Sequence, residues 1–182
     1  AFMSIVCNNL LNQAIKENSI VDPGAILDDV SFRLARSIHQ KTEEQKVQDG
    51  MDIALCRINR KTRQLKFAGA FNPLYIVRNW EILELECDKI TVGAVISENQ
   101  HYRTQELTLE PDDCIYLFSD GFADQFGGTG NKKFKRIRFK TMLREAALLP
   151  MTEQQTMVIN TFDQWRGSNE QVDDVLLIGI RA

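Results

Sequence analysis

The hydrophobic period of this chain changes three times along its length, and that restricts the fold it can adopt. Phe2, Ile5, Val6, Leu10, Leu11 and Ile15 recur every three or four positions, which predicts an amphipathic helix with Asn8, Asn12 and Lys16 facing outward. Asp22-Pro23 announces a second helix, because Asp caps free N–H groups and Pro fits the first turn. It continues through Ile26, Leu27, Val30, Leu34 and Ile38 and ends near His39, before a polar stretch at 40–48 that reads as loop. From residue 52 the period falls to two. Residues 52–58, 64–69, 74–78 and 81–85 read as four strands with short connections, an antiparallel meander. Strands over 102–109 and 114–119 follow, separated by the turn Glu110-Pro111-Asp112-Asp113. Ile115-Tyr116-Leu117-Phe118 is apolar throughout, which places its strand at the centre of a sheet, covered on both faces.

Helical spacing then returns. After a loop at 127–131, Phe139, Met142, Leu143, Ala146 and Leu149 line one helix; Thr152 with Gln155 reads as a capping box for another, through Met157, Val158, Phe162 and Trp165. Residues 172–180 form a last strand rich in Val, Leu and Ile. Two helices, six strands, two helices and one strand make an α+β arrangement, and no repeat or linker divides the 182 residues. A chain of about 150 residues already buries roughly two-thirds of its unfolded surface, so one domain is expected.

Charge and cysteine usage exclude several functions. With 22 basic and 25 acidic side chains the net charge is −3, which fits neither a strongly basic nucleic-acid binder nor a disordered acidic tail. No run of 18 apolar residues and no basic start leading into an apolar stretch is present, so no membrane segment or signal peptide is expected. Cys7, Cys56, Cys87 and Cys114 form no C-x-x-C pair and read as small buried side chains in a reducing, cytoplasmic setting. His39 and His101 are isolated, and no G-x-S-x-G elbow occurs, which argues against a Ser-His-Asp or Cys-His hydrolase.

Two acidic segments sit at strand ends. Ser119-Asp120-Gly121 closes the apolar strand 115–118, and Asp173-Asp174 opens the apolar strand 175–180. A carboxylate there is held on rigid backbone at the rim of a sheet, and oxygen ligands suit magnesium or manganese. Pattern alone favours the plainer reading, with Asp-Gly as a turn and Asp-Asp as a solvated strand start.

Four segments in order reverse that preference: Asp49-Gly50-Met51-Asp52-Ile53-Ala54-Leu55; Leu65-Lys66-Phe67-Ala68-Gly69-Ala70 with Asn72-Pro73-Leu74-Tyr75; Tyr116-Leu117-Phe118-Ser119-Asp120-Gly121-Phe122-Ala123-Asp124-Gln125-Phe126-Gly127-Gly128; and Gln171-Val172-Asp173-Asp174-Val175-Leu176-Leu177-Ile178-Gly179. Together they resemble the PPM-type (protein phosphatase 2C-like) metal-dependent serine/threonine phosphatases, in the bacterial branch typified by stage II sporulation protein E. The resemblance covers essentially the whole chain. It implies a four-layer α-β-β-α sandwich of two antiparallel sheets flanked by helices, with two Mn2+ or Mg2+ ions at one end. Carried over by motif, Asp120 and Asp173 bind metal, while Asp174, Ser119 and Gly121 stand behind them; Asp49 and Asp52 have a structural role. A metal-activated water then attacks a phosphoserine or phosphothreonine, with no protein nucleophile.

One departure from the family pattern matters. Its early acidic strand and its Asp-x-x-Gly-His-Gly-like turn, which supplies the bridging ligand and leads into a helix beginning much like Ala1-Phe2-Met3-Ser4, have no counterpart here. The expectation is therefore a single phosphatase-like domain over 1–182 that represents the C-terminal part, lacks the N-terminal metal-binding strands and binds metal weakly or at one site. In this branch the substrate is commonly a phosphorylated anti-sigma-factor antagonist, behind an upstream sensor domain. The alternative is a catalytically inactive regulatory module, disfavoured because both Asp120 and Asp173 are kept. A further alternative, phosphate or RNA binding by Lys132, Lys133, Lys135, Arg136, Arg138 and Lys140 with Phe134 and Phe139 stacking, yields to a solvated loop and helix start. Gly127-Gly128-Thr129-Gly130-Asn131-Lys132 fails the P-loop pattern because Asn follows the last Gly.

Overall fold

The helical starts and the strand periods place the elements largely where the sequence puts them. A computed structural model describes residues 2–39, 50–93 and 101–182. The chain forms two compact units, one of 1–73 with 85–108 and one of 74–84 with 109–182. Asp49 lies outside the described residues.

The first unit holds α1 (Phe2–Asn12), α2 (Pro23–His39) and a sheet of β1 (Ile53–Asn59), β2 (Gln64–Ala70) and β5 (Gln105–Thr108) in the order β1-β2-β5, all antiparallel. The first helix does not run on evenly to Ile15. A π-helical turn over Gln13–Glu17 follows it, and the wider turn buries Ala14 while leaving Ile15 exposed. The second helix starts as predicted, with Asp22 Oδ1 accepting the Ala25 N–H at 3.1 Å. Its Ile26, Leu27, Val30 and Leu34 are buried against Ala68, Ala70, Val92 and Tyr102, each worth about 1.5–3 kcal/mol of burial.

The strand predicted over 102–109 forms only over Gln105–Thr108. Side chains have taken the preceding backbone groups: Tyr102 N–H donates to Asp28 Oδ1 (3.0 Å) and Arg103 N–H to Asp88 Oδ2 (2.8 Å). Thr104 Oγ1 meanwhile donates to Asp22 Oδ1 (2.6 Å) and accepts from Gly24 N–H (2.8 Å), tying this segment to the start of α2. Burial works against the Asp22 charge, but the bonds from Thr104, Ala25 and Gly24 outweigh it and hold its carboxyl below the usual range.

The second unit holds β3 (Leu74–Arg78), β4 (Glu81–Leu85), β6 (Cys114–Phe118) and β9 (Leu177–Arg181) in the order β4-β3-β6-β9. With them come α3 (Gly121–Asp124), the hairpin strands β7 (Phe126–Gly127) and β8 (Lys132–Lys133), α4 (Arg136–Ala147) and α5 (Met151–Arg166). β6 is central, between β3 and β9, as its apolar run predicts. On one face Tyr75, Tyr116 and Phe118 join Phe122, Phe139, Leu143 and Phe162 in an aromatic core. Phe122 stands 5.0–5.2 Å, centroid to centroid, from Phe134, Phe139 and Phe162.

Several expectations are corrected. The four-strand meander is two hairpins in different sheets, β1–β2 in one and β3–β4 in the other. The link at 71–73 breaks the run because Phe71 adopts φ 58° and Pro73 has no N–H to continue a ladder. The Thr152–Gln155 capping box does not form: Pro150 is the N-cap, its carbonyl accepting the Glu153 and Gln154 N–H groups at 2.9 Å, and Thr152 lies inside the helix. The last strand begins at Leu177 rather than 172, because the segment before it is bonded to Ser119 and Gln125. The loop at 127–131 is the turn of the β7–β8 hairpin. Phe134 and Phe139 are core residues, which removes them as base-stacking groups. All four cysteines are free, with Cys7 and Cys114 buried and Cys56 and Cys87 half-buried. No helix among the described residues is long and apolar enough to cross a membrane.

Candidate metal centre at the end of the central strand

The first acidic segment leaves β6 directly. Ser119 follows the strand, Asp120 occupies the N-cap position of α3, and the Asp120 carbonyl accepts the Asp124 N–H at 3.0 Å. The second segment precedes β9 rather than opening it, so Asp173 and Asp174 lie in irregular backbone, and both are exposed. Four contacts bring the segments to one place.

Ser119 makes the first three. Its Oγ donates to the Asp174 carbonyl (2.7 Å) and accepts the Leu176 N–H (2.9 Å), while its own N–H donates to the Leu176 carbonyl (3.0 Å). Gly121 makes the fourth: a Cβ there would overlap the Asp174 carbonyl, so only glycine lets the backbones approach this closely. The residues on either side of Asp120 thus abut the residue that follows Asp173. Asp173 Oδ1 in turn accepts the Asp174 N–H at 2.7 Å, and its carbonyl accepts Gln171 Nε2 at 2.8 Å.

Gln125 is a residue that sequence reasoning missed. It is fully buried, and its Nε2 donates to the Glu170 carbonyl (2.9 Å) and the Phe126 carbonyl (3.0 Å). Its Oε1 accepts the Val172 N–H at 3.4 Å, and its backbone carbonyl accepts Trp165 Nε1 at 3.0 Å. One amide side chain therefore anchors the segment leading to Asp173. The only signal in the sequence was a polar residue set between apolar Ala123 and Phe126.

No hydrogen bond or ion pair among the described residues engages the Asp120 carboxylate, and no cation pairs with Asp173 or Asp174. Two exposed carboxylates, Asp120 and Asp173 with Oδ2 of the latter open, suit a hard divalent cation. Among the described residues no three His, Cys, Asp or Glu side chains group as a complete ligand set. An apolar cavity of about 550 Å³ lies beside β9, lined by Tyr116, Phe122, Val158, Phe162, Leu177 and Gly179, and neither Asp120 nor Asp173 lines it. Asp52, expected to be structural, belongs to the first unit, where its Oδ1 accepts Thr91 Oγ1 at 3.5 Å.

Comparison with known proteins gives this arrangement a setting. The family model of Stage II sporulation protein E (SpoIIE) matches residues 1–182. The SiaA-PP2C domain of Pseudomonas aeruginosa is 31% identical, with a TM-score of 0.85 over 100% of this chain and 69% of that one. The PP2C phosphatase domain with a regulatory fragment of SpoIIE from Bacillus subtilis superimposes with a TM-score of 0.73 at 15% identity, over 100% of this chain and 50% of that one. The RsbU and RsbW domains of a Mycobacterium tuberculosis protein give 0.69 at 14% identity, over 96% and 45%. These last two show a shared fold of antiparallel sheets and helices. No curated protein sequence matches the chain significantly.

Proposed function

We propose, for a chain that belongs to the stage II sporulation protein E family and is a PPM-type serine/threonine phosphoprotein phosphatase domain, that Asp120 and Asp173 bind the divalent metal of its active site. The observation that carries this is the Ser119–Gly121 contact with the Asp174 carbonyl, which seats both acidic segments at one end of the β6–β9 pair. Mn2+ or Mg2+, two ions in the complete site, would supply a water acidified toward neutral pH and neutralise the phosphoryl oxygens.

The chain's own groups do the rest. Asp120 and Asp173 present the anionic oxygens, and Ser119 and Gln125 fix the backbone that carries them. Asp174 contributes through its main chain. Ser119 is not a nucleophile, because its Oγ is already engaged as donor and acceptor. The substrate on this reading is a phosphoserine or phosphothreonine on a bacterial signalling protein, such as a phosphorylated anti-sigma-factor antagonist. With an upstream segment that supplies the bridging ligand joined to the chain, manganese-dependent hydrolysis of a phosphoserine peptide that disappears in Asp120→Asn, with the circular dichroism spectrum unchanged, is the expected result. Unchanged turnover in that variant removes Asp120 from the site.

A further inference from the structure

Six of the nine residues 132–140 are cations, and packing does not ask for all of them. Lys133 pairs with Asp124 (2.8 Å), Lys140 with Glu84 (2.7 Å), and the Arg138 guanidinium lies 4.6 Å from the Trp165 ring centre. Lys132, Lys135 and Arg136 are exposed and carry no ion pair among the described residues. Their charges stand against the local physics. Lys135 holds φ 72° and ψ 148°, a conformation glycine adopts freely and a side chain adopts under strain. Lys135 and Arg136 also meet the positive end of the α4 dipole, in a first turn without an acidic residue. Arg136 further opposes the charge of Lys140 one turn along the helix.

The platform under these cations is rigid and joined to the metal centre. Phe134 N–H donates to the Gln125 carbonyl (2.9 Å) and Lys135 N–H to the Ala123 carbonyl (2.7 Å). Gly128 N–H donates to the Trp165 carbonyl (2.9 Å), and Asn169 Nδ2 bridges the Phe126 carbonyl and Asn131 Oδ1, both at 3.2 Å. Only α3 separates this platform from Asp120, one helical turn on the order of 6 Å long.

Resting on the phosphatase reading above, we propose that Lys132, Lys135 and Arg136 form a docking surface for an acidic stretch beside the phosphorylated residue of the protein substrate. Such a surface steers an acidic segment toward Asp120 and gives substrate selection that a bare phosphoryl site lacks. It favours an acidic protein over RNA, because the aromatic residues interleaved with the cations are buried and offer bases no stacking face.

The test is fluorescence anisotropy on the full chain with Mn2+, using phosphoserine peptides in which a non-hydrolysable phosphonate replaces the phosphate. One peptide carries four acidic flanking residues, the other four lysines. The acidic peptide is expected to bind about tenfold more tightly at low salt, and this preference is expected to vanish at roughly 0.5 M salt. The combined Lys132→Glu, Lys135→Glu and Arg136→Glu variant is expected to reverse the order. Lys135→Gly, which relieves the backbone, is expected to weaken acidic-peptide binding while keeping or raising the thermal midpoint, so that loss of fold is not mistaken for loss of docking. Equal affinity of the two peptides for the unmodified chain, an unchanged preference in the triple variant, or displacement of the acidic peptide by single-stranded RNA at lower concentration overturns the proposal. Hydrolysis of p-nitrophenyl phosphate by the chain joined to an upstream segment that supplies the bridging ligand tests the catalytic reading separately. Its absence alongside a retained acidic preference sinks that reading and leaves the docking surface standing.

Discussion

The two ends of β6 carry two aspartates with opposite fates. At the entrance, Asp113 is buried and fully engaged: Arg78 Nε and Nη2 donate to it at 2.9 and 2.6 Å, and the Glu110 N–H at 2.8 Å. At the exit, Asp120 is exposed, and among the described residues nothing pairs with its carboxylate. One strand thus ends once in a carboxylate neutralised by the protein and once in a carboxylate left for something else. A buried charge must find its partner within the fold, whereas an exposed one on rigid backbone is free to meet a cation from solution.

Substitutions at the two ends are expected to separate cleanly. Asp120→Asn costs turnover on a phosphoserine peptide at least ~10³-fold, equivalent to about 4 kcal/mol of transition-state stabilisation, while a urea melt shifts by less than ~0.5 kcal/mol. Asp113→Asn does the reverse. It removes the buried charge that Arg78 pairs with, keeps the Arg78–Glu110 pair (2.7 Å), and costs about 2–4 kcal/mol in the same melt, with metal affinity unchanged.

Positioning residues are expected to fall between these extremes. Gln125→Ala weakens Mn2+ binding roughly 10–100-fold, as loss of a group that orients a ligand does. Calorimetry checks this, and an unchanged affinity confines Gln125 to a packing role. Ser119→Ala leaves the Leu176 N–H and the Asp174 carbonyl without their shared partner and costs about 1–2 kcal/mol, read from denaturant unfolding.

The smallest effects concern pH and belong to the first unit. Asp22 has its folded pKa lowered, so its stabilising contribution is present above the unfolded value and is lost as pH falls through the acid range. Burial pushes the Tyr102 phenol up to about 12; the unfolded chain ionises first, so stability is lost as pH rises from about 10 toward 12. Thermal melts across pH check both limbs. Thr104→Val is expected to flatten the acid limb, and an acid limb unchanged in that variant removes the Asp22 part.

The same contrast explains what the sequence shows and what it hides. The Asp22-Pro23 start, the bounds of β3 and β4 and the central place of β6 are local matters of capping and period, and each is found where it is predicted. The change of sheet after β2 is not local: a three-residue link reads alike whether the next strand pairs with the last or leaves it. The shortened β5 and β9 are lost to side chains, Asp28 and Asp88 in one case, Ser119 and Gln125 in the other, that are distant in sequence. Of the candidate site, Ser119 and Gly121 lie against the Asp174 carbonyl, and that contact joins the two acidic segments. Gln125 is invisible to pattern because one buried amide has no period.

The central proposal is that the exposed carboxylates of Asp120 and Asp173 share one cation. Calorimetric titration with Mn2+ of the unmodified chain, Asp120→Asn, Asp173→Asn and Asp113→Asn tests it most directly. The expected result is a binding isotherm that is lost in both Asp120→Asn and Asp173→Asn and kept in Asp113→Asn. Isotherms unchanged by the first two substitutions would contradict the account.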